Sequence, residues 1–445
     1  MFVLCAALAL DALSEALPLN CRASLVQVAG RAALQNSAFT AERANMAAPY
    51  FVVLADPQFG ISTTYTSDPD DMTSEQVMFS QLVDAVADLR PKPDFVFIAG
   101  DMQDAWPKDE KPKDASLKAI KEAEKIRSRA ARQREAVKDI IKRLEKDRIP
   151  VYFTPGNHDI NDVASKEDMA AYAANWNTRL YQRVPHSFGL ATLIVELNSQ
   201  LYQNALGVGA GEEKQDQNDW LAATLRAHLD PEKTRLIVVL THIPPFLNRI
   251  DEEHGWGNWC KPGRIEMLSV FARAIHDKRF AIAPKILWVC GHFHVNVESR
   301  GHKFDVPVAG GRFTQRLEMD IIVSSSAGTA MWWMAANNAG FLEPKEAEMV
   351  ASIPVQGPEG AFAKYIMSYT TDRTDPFNRG LPYTDRSGLR MFRIRANGEY
   401  NDRWYTLSDL IRDRSSALKV KLGSTALLVI IGTLVCELVM GNLVV

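Results

Sequence analysis

Short apolar runs recur along the chain, and each one ends in polar residues. Most of these runs are continuous rather than alternating, which is typical of β-strands that are buried on both faces. The runs lie at residues 50–55, 94–99, 150–154, 191–197, 235–240, 285–290 and 320–324. We predict a strand at each of these positions. Two further strand-like segments, 389–395 and 403–407, close the domain.

Helical patterns separate several of these strands. Between the first two runs, apolar residues recur every three or four positions, at Met78, Leu82, Val86 and Leu89. Within the charged stretch 114–147, an apolar stripe is formed by Val137, Ile140, Ile141 and Leu144. This alternation predicts an α/β core with parallel strands, in which ligands bind outside the carboxyl ends of the strands. The reactive residues should therefore follow strands.

Composition places the chain among ordinary globular proteins. Its 445 residues are 47% apolar and 24% charged, and the net charge of −3 indicates no broad nucleic-acid-binding face. Only Cys260 and Cys290 lie between the two unusual ends of the chain. That number excludes a disulfide framework and favours a reducing compartment.

The C-terminal residues 425–445 read TALLVIIGTLVCELVMGNLVV, with Glu437 as their only charge. About 20 apolar residues suffice to span a bilayer, and basic residues precede this segment, as is typical of a cytoplasmic flank. We predict a transmembrane anchor, with the catalytic domain facing the cytoplasm. A GPI signal on a secreted protein, or a buried terminal helix of a cytoplasmic protein, would also account for the segment.

The remaining segments complete the predicted domain organisation. Residues 1–47 are interpreted as a disordered leader or a cleaved targeting segment, and residues 48–408 as the catalytic domain. Within it, the irregular segment 328–385 is interpreted as an insertion that could form a lid. Residues 409–424 form a basic linker before the anchor at 425–445.

Residues of metal-ligand type follow five of the predicted strands. These sequences are DPQ at 56–58, GDMQD at 100–104, GNHD at 156–159, TH at 241–242 and GHFH at 291–294. A single histidine after a strand is more often a structural residue, but five such matches in order indicate a metal site. Two divalent cations sharing one carboxylate could activate a water and stabilise an in-line displacement.

This set resembles the five-motif signature of the calcineurin-like metallophosphoesterases, over roughly residues 48–408. Further strings are similar to a group of serine/threonine protein phosphatases within it, described as the complete S1 type. They are ADPQFG at 55–60, LNSQLYQN at 197–204, THIPPFLNRIDEE at 241–253 and GLRMF at 388–392. The resemblance implies an α/β fold, with a metallophosphoesterase-type β-sandwich flanked by helices and followed here by the C-terminal apolar segment.

The resemblance also implies which residues bind two metal ions, with Asp101 as the bridge. The first ion would be held by Asp56, Asp101, His294 and Gln58. The second would be held by Asp101, Asn157, His242 and His292. The family usually has histidine where this chain has Gln58. Because an amide oxygen is a weaker ligand, we expect a looser first site that prefers Mn or Mg, with Mn the first choice and Fe or Zn as alternatives.

The family role of His158 is general acid in hydrolysis by metal-activated hydroxide, and Asp104 would orient it unless it is only a turn residue. Asn157, Asn198 and Arg249 are candidates for binding phosphate, although Arg249 could equally be a surface arginine. The chain lacks the Asp-Arg-Gly of the best-known protein phosphatases of this superfamily. We expect phosphoserine or phosphothreonine in proteins as substrate. The alternatives are a phosphodiesterase, a phosphatase acting on small molecules or lipid headgroups, and a non-catalytic binding module.

Overall fold

The structure is a computed structural model that describes residues 49–61, 72–114, 116–203, 211–247, 249–252, 257–294, 296–308, 311–328, 387–407 and 410. The predicted leader, the insertion beyond Gly328, the linker apart from Leu410 and the C-terminal anchor lie outside these residues. The domain boundaries therefore stay predictions. Among the helices within the described ranges, none has the length and apolarity needed to cross a membrane.

The elements follow the predicted alternation of strands and helices. The strands are β1 (Tyr50–Leu54), β2 (Val96–Ile98), β3 (Val151–Phe153), β4 (Gln182–Arg183), β5 (Thr192–Glu196), β6 (Leu236–Leu240), β7 (Lys285–Cys290), β8 (Val297–Val308), β9 (Phe313–Val323), β10 (Gly388–Ile394) and β11 (Tyr400–Thr406). The helices are α1 (Thr73–Asp88), α2 (Leu117–Lys146), α3 (Asn157–Ile160), α4 (Lys166–Trp176), α5 (Gln200–Gln203), α6 (Gly211–His228) and α7 (Lys261–Asp277).

These strands form two sheets. One has five strands in the order β11-β10-β1-β2-β3, and the other has six in the order β4-β5-β6-β7-β9-β8. Strands β1, β2 and β3 are parallel, and so are β5, β6, β7 and β9. The outer strands β4, β8, β10 and β11 pair antiparallel. The prediction of a mixed α/β fold with parallel strands and two sheets is confirmed.

Alternate side chains of the strands point into two apolar clusters on opposite faces of the sheet. Phe51 and Val53 of β1 point into an apolar cluster shared by strands of both sheets, where Phe51 stacks on Phe95 and Phe392 with ring centroids 4.8 and 4.9 Å apart. Val52 and Leu54 point the other way, into the cluster that includes the residues of α1 and α2. Because both faces of β1 are buried, its sequence is continuously apolar.

The two predicted helical stripes lie on buried faces. In α1, the buried residues include the predicted Met78, Leu82 and Val86. In α2, Val137 and Leu144 are fully buried, while the charged residues of the opposite face are mostly exposed. The charged stretch is therefore a solvated helix face.

Candidate metal centre

The loops after β1, β2, β3, β6 and β7 bring the predicted metal ligands together. All of these side chains are buried: Asp56, Gln58, Asp101, Asn157, His242, His292 and His294. Their ligand atoms form two groups, each with all atoms within 4.8 Å of one another. One group is Asp101, His242 and His292, and the other is Asp56, Asp101 and His294. Asp101 belongs to both groups, as expected of a bridging carboxylate.

The first of these groups has the spacing of ligands around a single ion. The Nε2 atom of His242 lies 3.1 Å from Asn157 Oδ1, 3.3 Å from Asp101 Oδ2 and 3.1 Å from His292 Nδ1. Ligand atoms about 2.0–2.1 Å from one metal ion lie about 3 Å from each other. His242 Nδ1 donates to the carbonyl oxygen of Ala99 at 2.6 Å, which leaves the Nε2 lone pair for a metal, as in most histidine ligands.

Asp56 lies at the centre of the second group. Its Oδ1 is 3.6 Å from His294 Nε2, and both of its carboxylate oxygens accept from the backbone N–H of His292, at 2.9 and 3.0 Å. Gln58 belongs to the same loop, and its Oε1 is buried without a hydrogen-bond partner. A buried amide oxygen with no donor costs free energy, and a cation would satisfy it.

The backbone at these loops adopts conformations that side chains rarely tolerate. Positive φ angles occur at Asp56 (47°), Gln58 (39°), Asp101 (49°), His292 (76°) and His294 (54°). Each such residue costs about 1–3 kcal/mol, and strain of this kind clusters at functional sites. These residues are therefore held in place by the surrounding structure to present their side chains to a common centre.

Burial and charge act on these groups in opposite directions. Burial, only partly opposed by His242, raises the pKa of Asp56 well above its usual range. Burial also acts on Asp101, but the imidazoles of His242 and His158 outweigh it and hold the pKa of Asp101 well below its usual range. Burial lowers the pKa of His242, but Asp101 and Asp56 outweigh that effect and raise it to about 9. A pair of divalent cations fits this site, because it concentrates carboxylates, imidazoles and amide oxygens in a small volume.

Glycines make room for the carboxylates of this centre. A Cβ atom at Gly156 would lie 2.0 Å from Asp101 Oδ1, and one at Gly291 would lie 2.4 Å from Asp56 Oδ2. Gly100 has a φ of +82°, and a Cβ there would lie 2.6 Å from His242 Nδ1. Only glycine at these three positions lets the backbone approach the carboxylates and the His242 imidazole this closely.

We expect Gly291→Ala to weaken metal binding at least about 10- to 100-fold, the range found when groups that support metal ligands are disturbed. The added methyl group would displace the Asp56 carboxylate, and calorimetric titration of metal-free protein with Mn²⁺ would measure the loss. Gly211→Ala is the matched control, because nothing lies within 4 Å of a Cβ at Gly211. Equal affinity of the two variants would contradict the arrangement.

His158 lies beside the centre and is tied to it through its backbone. Its N–H donates to Asp101 Oδ1 at 2.9 Å. Its Nδ1 lies 2.8 Å from the carbonyl oxygen of Asp104 but 3.6 Å from the Asp104 carboxylate, so the main chain of Asp104 makes the closer contact. The Asp104 carboxylate instead accepts from Gln58 Nε2 at 3.3 Å, and burial raises its pKa. Gln58 Nε2 also lies 3.0 Å from His158 Nε2.

Asp159 supports the site, although sequence reasoning assigned it no role. It is buried, its Oδ1 accepts from the N–H of Met102 at 3.2 Å, and its Oδ2 accepts from the N–H of Gly156 at 2.8 Å. The bond from Met102 joins the segments after β2 and β3, which carry Asp101 and Asn157, and the bond from Gly156 closes the turn before Asp159. Burial and the nearby Asp101 raise the pKa of Asp159 to about 7. Its place at the end of the GNHD motif was the signal available.

Two candidate phosphate ligands make other contacts. The Oδ1 of Asn198 accepts from the N–H of Gln200 at 3.0 Å, and its Nδ2 lies 3.6 Å from the sulfur of Met169. Arg249 is exposed and donates to both carboxylate oxygens of Asp251 at 2.8 Å. These contacts favour a structural role for Asn198 and the surface-arginine alternative for Arg249. Their role in phosphate binding stays a prediction.

The chain is similar to proteins that are named as phosphatases. The serine/threonine-protein phosphatase CPPED1 of Bos taurus is 28% identical over 285 residues, covering 63% of this chain and 75% of the relative. The Homo sapiens protein of the same name is 28% identical over 286 residues, with the same coverage. A solved structure titled "Structure of PhoD" has a TM-score of 0.38 and 12% identity over 63% of this chain and 57% of that one, which is too distant to support a functional statement.

The family comparison covers the strands and loops that build the metal centre. Residues 50–296 match the family described as "Calcineurin-like phosphoesterase", which is more than half of the chain. The matched range begins at β1 and ends after the loop that carries His292 and His294. The chain therefore belongs to the calcineurin-like phosphoesterase family.

Proposed function

We propose that this chain is a dinuclear metal-dependent phosphatase that hydrolyses phosphomonoesters, with phosphoserine and phosphothreonine in proteins as its substrates. The observation that carries the proposal is the place of Asp101 in both groups of ligand atoms. A carboxylate shared by two groups of ligands is what a two-metal hydrolytic centre requires. The CPPED1 relatives, which are named as serine/threonine-protein phosphatases, support the choice of phosphoprotein substrates.

Two divalent cations, manganese by preference, would supply Lewis acidity and an activated water when bound. Asp56, Gln58, Asp101 and His294 would hold one of them, and Asp101, Asn157, His242 and His292 the other. The amide of Asn157 also faces the phosphoryl group in this proposal. The activated water loses one proton to solvent, and its oxygen bonds to phosphorus as the bond between phosphorus and the leaving oxygen breaks. The leaving alkoxide takes a proton from His158, whose ring is held through Nδ1 by the carbonyl of Asp104.

We expect His158→Ala to lower kcat on a phosphoserine peptide about 10²- to 10⁴-fold, because a serine alkoxide leaves slowly without a proton donor. The metal content should not change, and the loss should be much smaller on 4-nitrophenyl phosphate, whose leaving group needs no proton. His276→Ala is the control, since His276 stacks on Phe313 and has no proposed role. Unchanged turnover of the peptide by His158→Ala would remove the general-acid assignment.

The same assay separates the proposed substrate class from its alternatives. Higher kcat/KM on a bis-ester, a nucleotide or a lipid headgroup than on phosphopeptides would favour a phosphodiesterase or a small-molecule phosphatase. If the metal-loaded protein hydrolysed none of these esters, the non-catalytic binding module would be the remaining interpretation.

We also propose that residues 425–445 anchor the chain in a membrane, with the catalytic domain in the cytoplasm. The proposal is supported by the apolar sequence of that segment, in which Glu437 is the only charge, and by the basic residues before it. Extraction of cell membranes with carbonate, followed by protease treatment of sealed vesicles, tests both statements. Recovery of the full chain in the soluble fraction would contradict the anchor.

A further inference from the structure

The indole ring of Trp106 lies against the imidazole ring of His158. The ring centroids are 4.3 Å apart and the ring planes are inclined at 46°. The Nδ1 contact with Asp104 and the Nε2 contact with Gln58 hold the two ring nitrogens, and neither of them covers the face of the ring. A contact on the face of the ring limits its tilt, and inclined aromatic pairs of this kind attract each other.

The segment that carries Trp106 is itself held in place. The N–H of Ala105 donates to the side-chain oxygen of Gln133 at 3.1 Å, and Gln133 is fully buried on α2. The N–H of Lys108 donates to Asn161 Oδ1 at 3.0 Å. The backbone is thus fixed on both sides of Trp106, so the indole presents a stable surface to His158.

Lys108 covers the indole as well. Its ammonium nitrogen lies 3.9 Å from the centroid of the Trp106 ring. A cation over an indole face is attracted by the electron density of the ring. This contact adds to the hydrogen bonds that limit the motion of Trp106.

We infer that Trp106 is a positioning residue for His158: it holds the imidazole in the orientation from which the ring gives its proton to the leaving alkoxide. The inference rests on the proposed function. Trp106 acts through His158 and is not among the candidate metal ligands. Its contribution should therefore depend on how much the leaving group needs a proton, and not on metal content.

Trp106→Ala tests this dependence. We expect kcat on a phosphoserine peptide to fall about 10- to 10²-fold, a part of the full effect of a general acid, with KM changed less than twofold. The loss on 4-nitrophenyl phosphate should be at least about tenfold smaller. Trp106→Phe, which keeps an aromatic face, should recover most of the peptide activity. In a His158→Ala background, Trp106→Ala should cause no further loss.

The matched control is Trp220→Ala, which removes a similar inclined aromatic pair with Tyr181, 5.0 Å and 49°, from residues with no proposed role. It should change the two substrates equally. Equal losses on both substrates by Trp106→Ala, or a further loss in the His158→Ala background, would overturn the inference and leave Trp106 a structural residue.

A spectroscopic measurement separates this inference from the proposed function. In the wild-type protein, the ring-current field of the indole should shift the His158 imidazole proton resonances, assigned with the help of His158→Ala. Trp106→Ala should move those resonances toward ordinary positions, and Trp220→Ala should not. Unchanged resonances in Trp106→Ala would overturn the positioning contact whatever the turnover. A wild-type enzyme that hydrolyses neither ester would instead overturn the proposed function.

Discussion

Asp101→Asn should reduce the metal content of the purified protein from about two ions per chain to one or fewer, since one carboxylate serves both proposed sites. The substitution keeps the size of the side chain but removes a negative charge and one of the two oxygens. Asp101 Oδ1 accepts from the N–H of His158, and Oδ2 faces His242 Nε2 at 3.3 Å. Both oxygens are therefore in use, and an amide cannot replace both.

Turnover should fall by at least about 10³-fold, because metal ions supply several kcal/mol of transition-state stabilisation and each 1.36 kcal/mol is a factor of ten in rate. Elemental analysis and phosphopeptide kinetics measure the two effects. Glu196→Gln is the matched control: Glu196 is also a fully buried acid at the end of a strand, and burial raises its pKa, so its neutral amide should keep metal and activity.

Two ions retained by Asp101→Asn would contradict the bridge, and full turnover with no metal would contradict the whole centre. The same analysis of the wild-type protein tests the metal preference. Two tightly retained irons would contradict the expectation that Gln58 makes the first site favour manganese or magnesium.

The residues that meet at the candidate metal centre could be predicted from the sequence because of how parallel strands are built. Both faces of such strands are buried, so each is a continuous apolar run, and the first polar residues after it mark its carboxyl end. Asp56, Asp101 and His242 were found in this way, and the structure brings them within a few ångströms of each other. What the sequence could not supply is which atom of a residue makes a contact. Asp104 was expected to orient His158 through its carboxylate, whereas its carbonyl oxygen makes the closer contact.

Other features carried no local signal. The long strand β8 was not predicted, because it is an antiparallel edge strand whose exposed and buried residues are interspersed and which contains Gly301 and Pro307. The beginning of β9 was also missed: three of its first four residues are polar, none of the four is buried, and only the end resembles a buried strand. The contact of Trp106 with His158 joins residues that are far apart in the chain, and no periodicity links them.

A partly buried network of charged residues joins the two sheets and is another feature without a local signal. Arg390 of β10 is 1% exposed and pairs with Glu298 of β8 and with Asp402 of β11, the latter at 2.7 Å. Arg300 of β8 also pairs with Asp402, at 2.5 Å, and with Glu298 at 3.1 Å. Since β8 belongs to one sheet and β10 and β11 to the other, these pairs connect the sheets.

Arg390→Met should lower the free energy of unfolding by about 3 kcal/mol, the lower end of the range for breaking a buried ion pair. Methionine nearly preserves the apolar length of the side chain, but the buried Asp402 carboxylate would lose one of its two cations. Arg300 would still pair with both acids. The loss of unfolding free energy should therefore not reach the upper end of the range for a broken buried ion pair. Urea unfolding followed by tryptophan fluorescence measures the change as a lower midpoint.

Arg395→Met provides the matched control, because Arg395 pairs with Glu399 at the same kind of distance, 2.8 Å, but both side chains are more than 60% exposed. An exposed pair contributes about 0–1 kcal/mol, so this variant should unfold close to the wild-type midpoint. If Arg390→Met were as stable as Arg395→Met, the apolar cluster around Phe51 would be sufficient to hold the sheets together. The candidate metal ligands come from loops of both sheets. A loosened contact between the sheets should therefore also weaken Mn²⁺ binding in Arg390→Met. An unchanged affinity for Mn²⁺ would show that the charged network and the metal centre are independent.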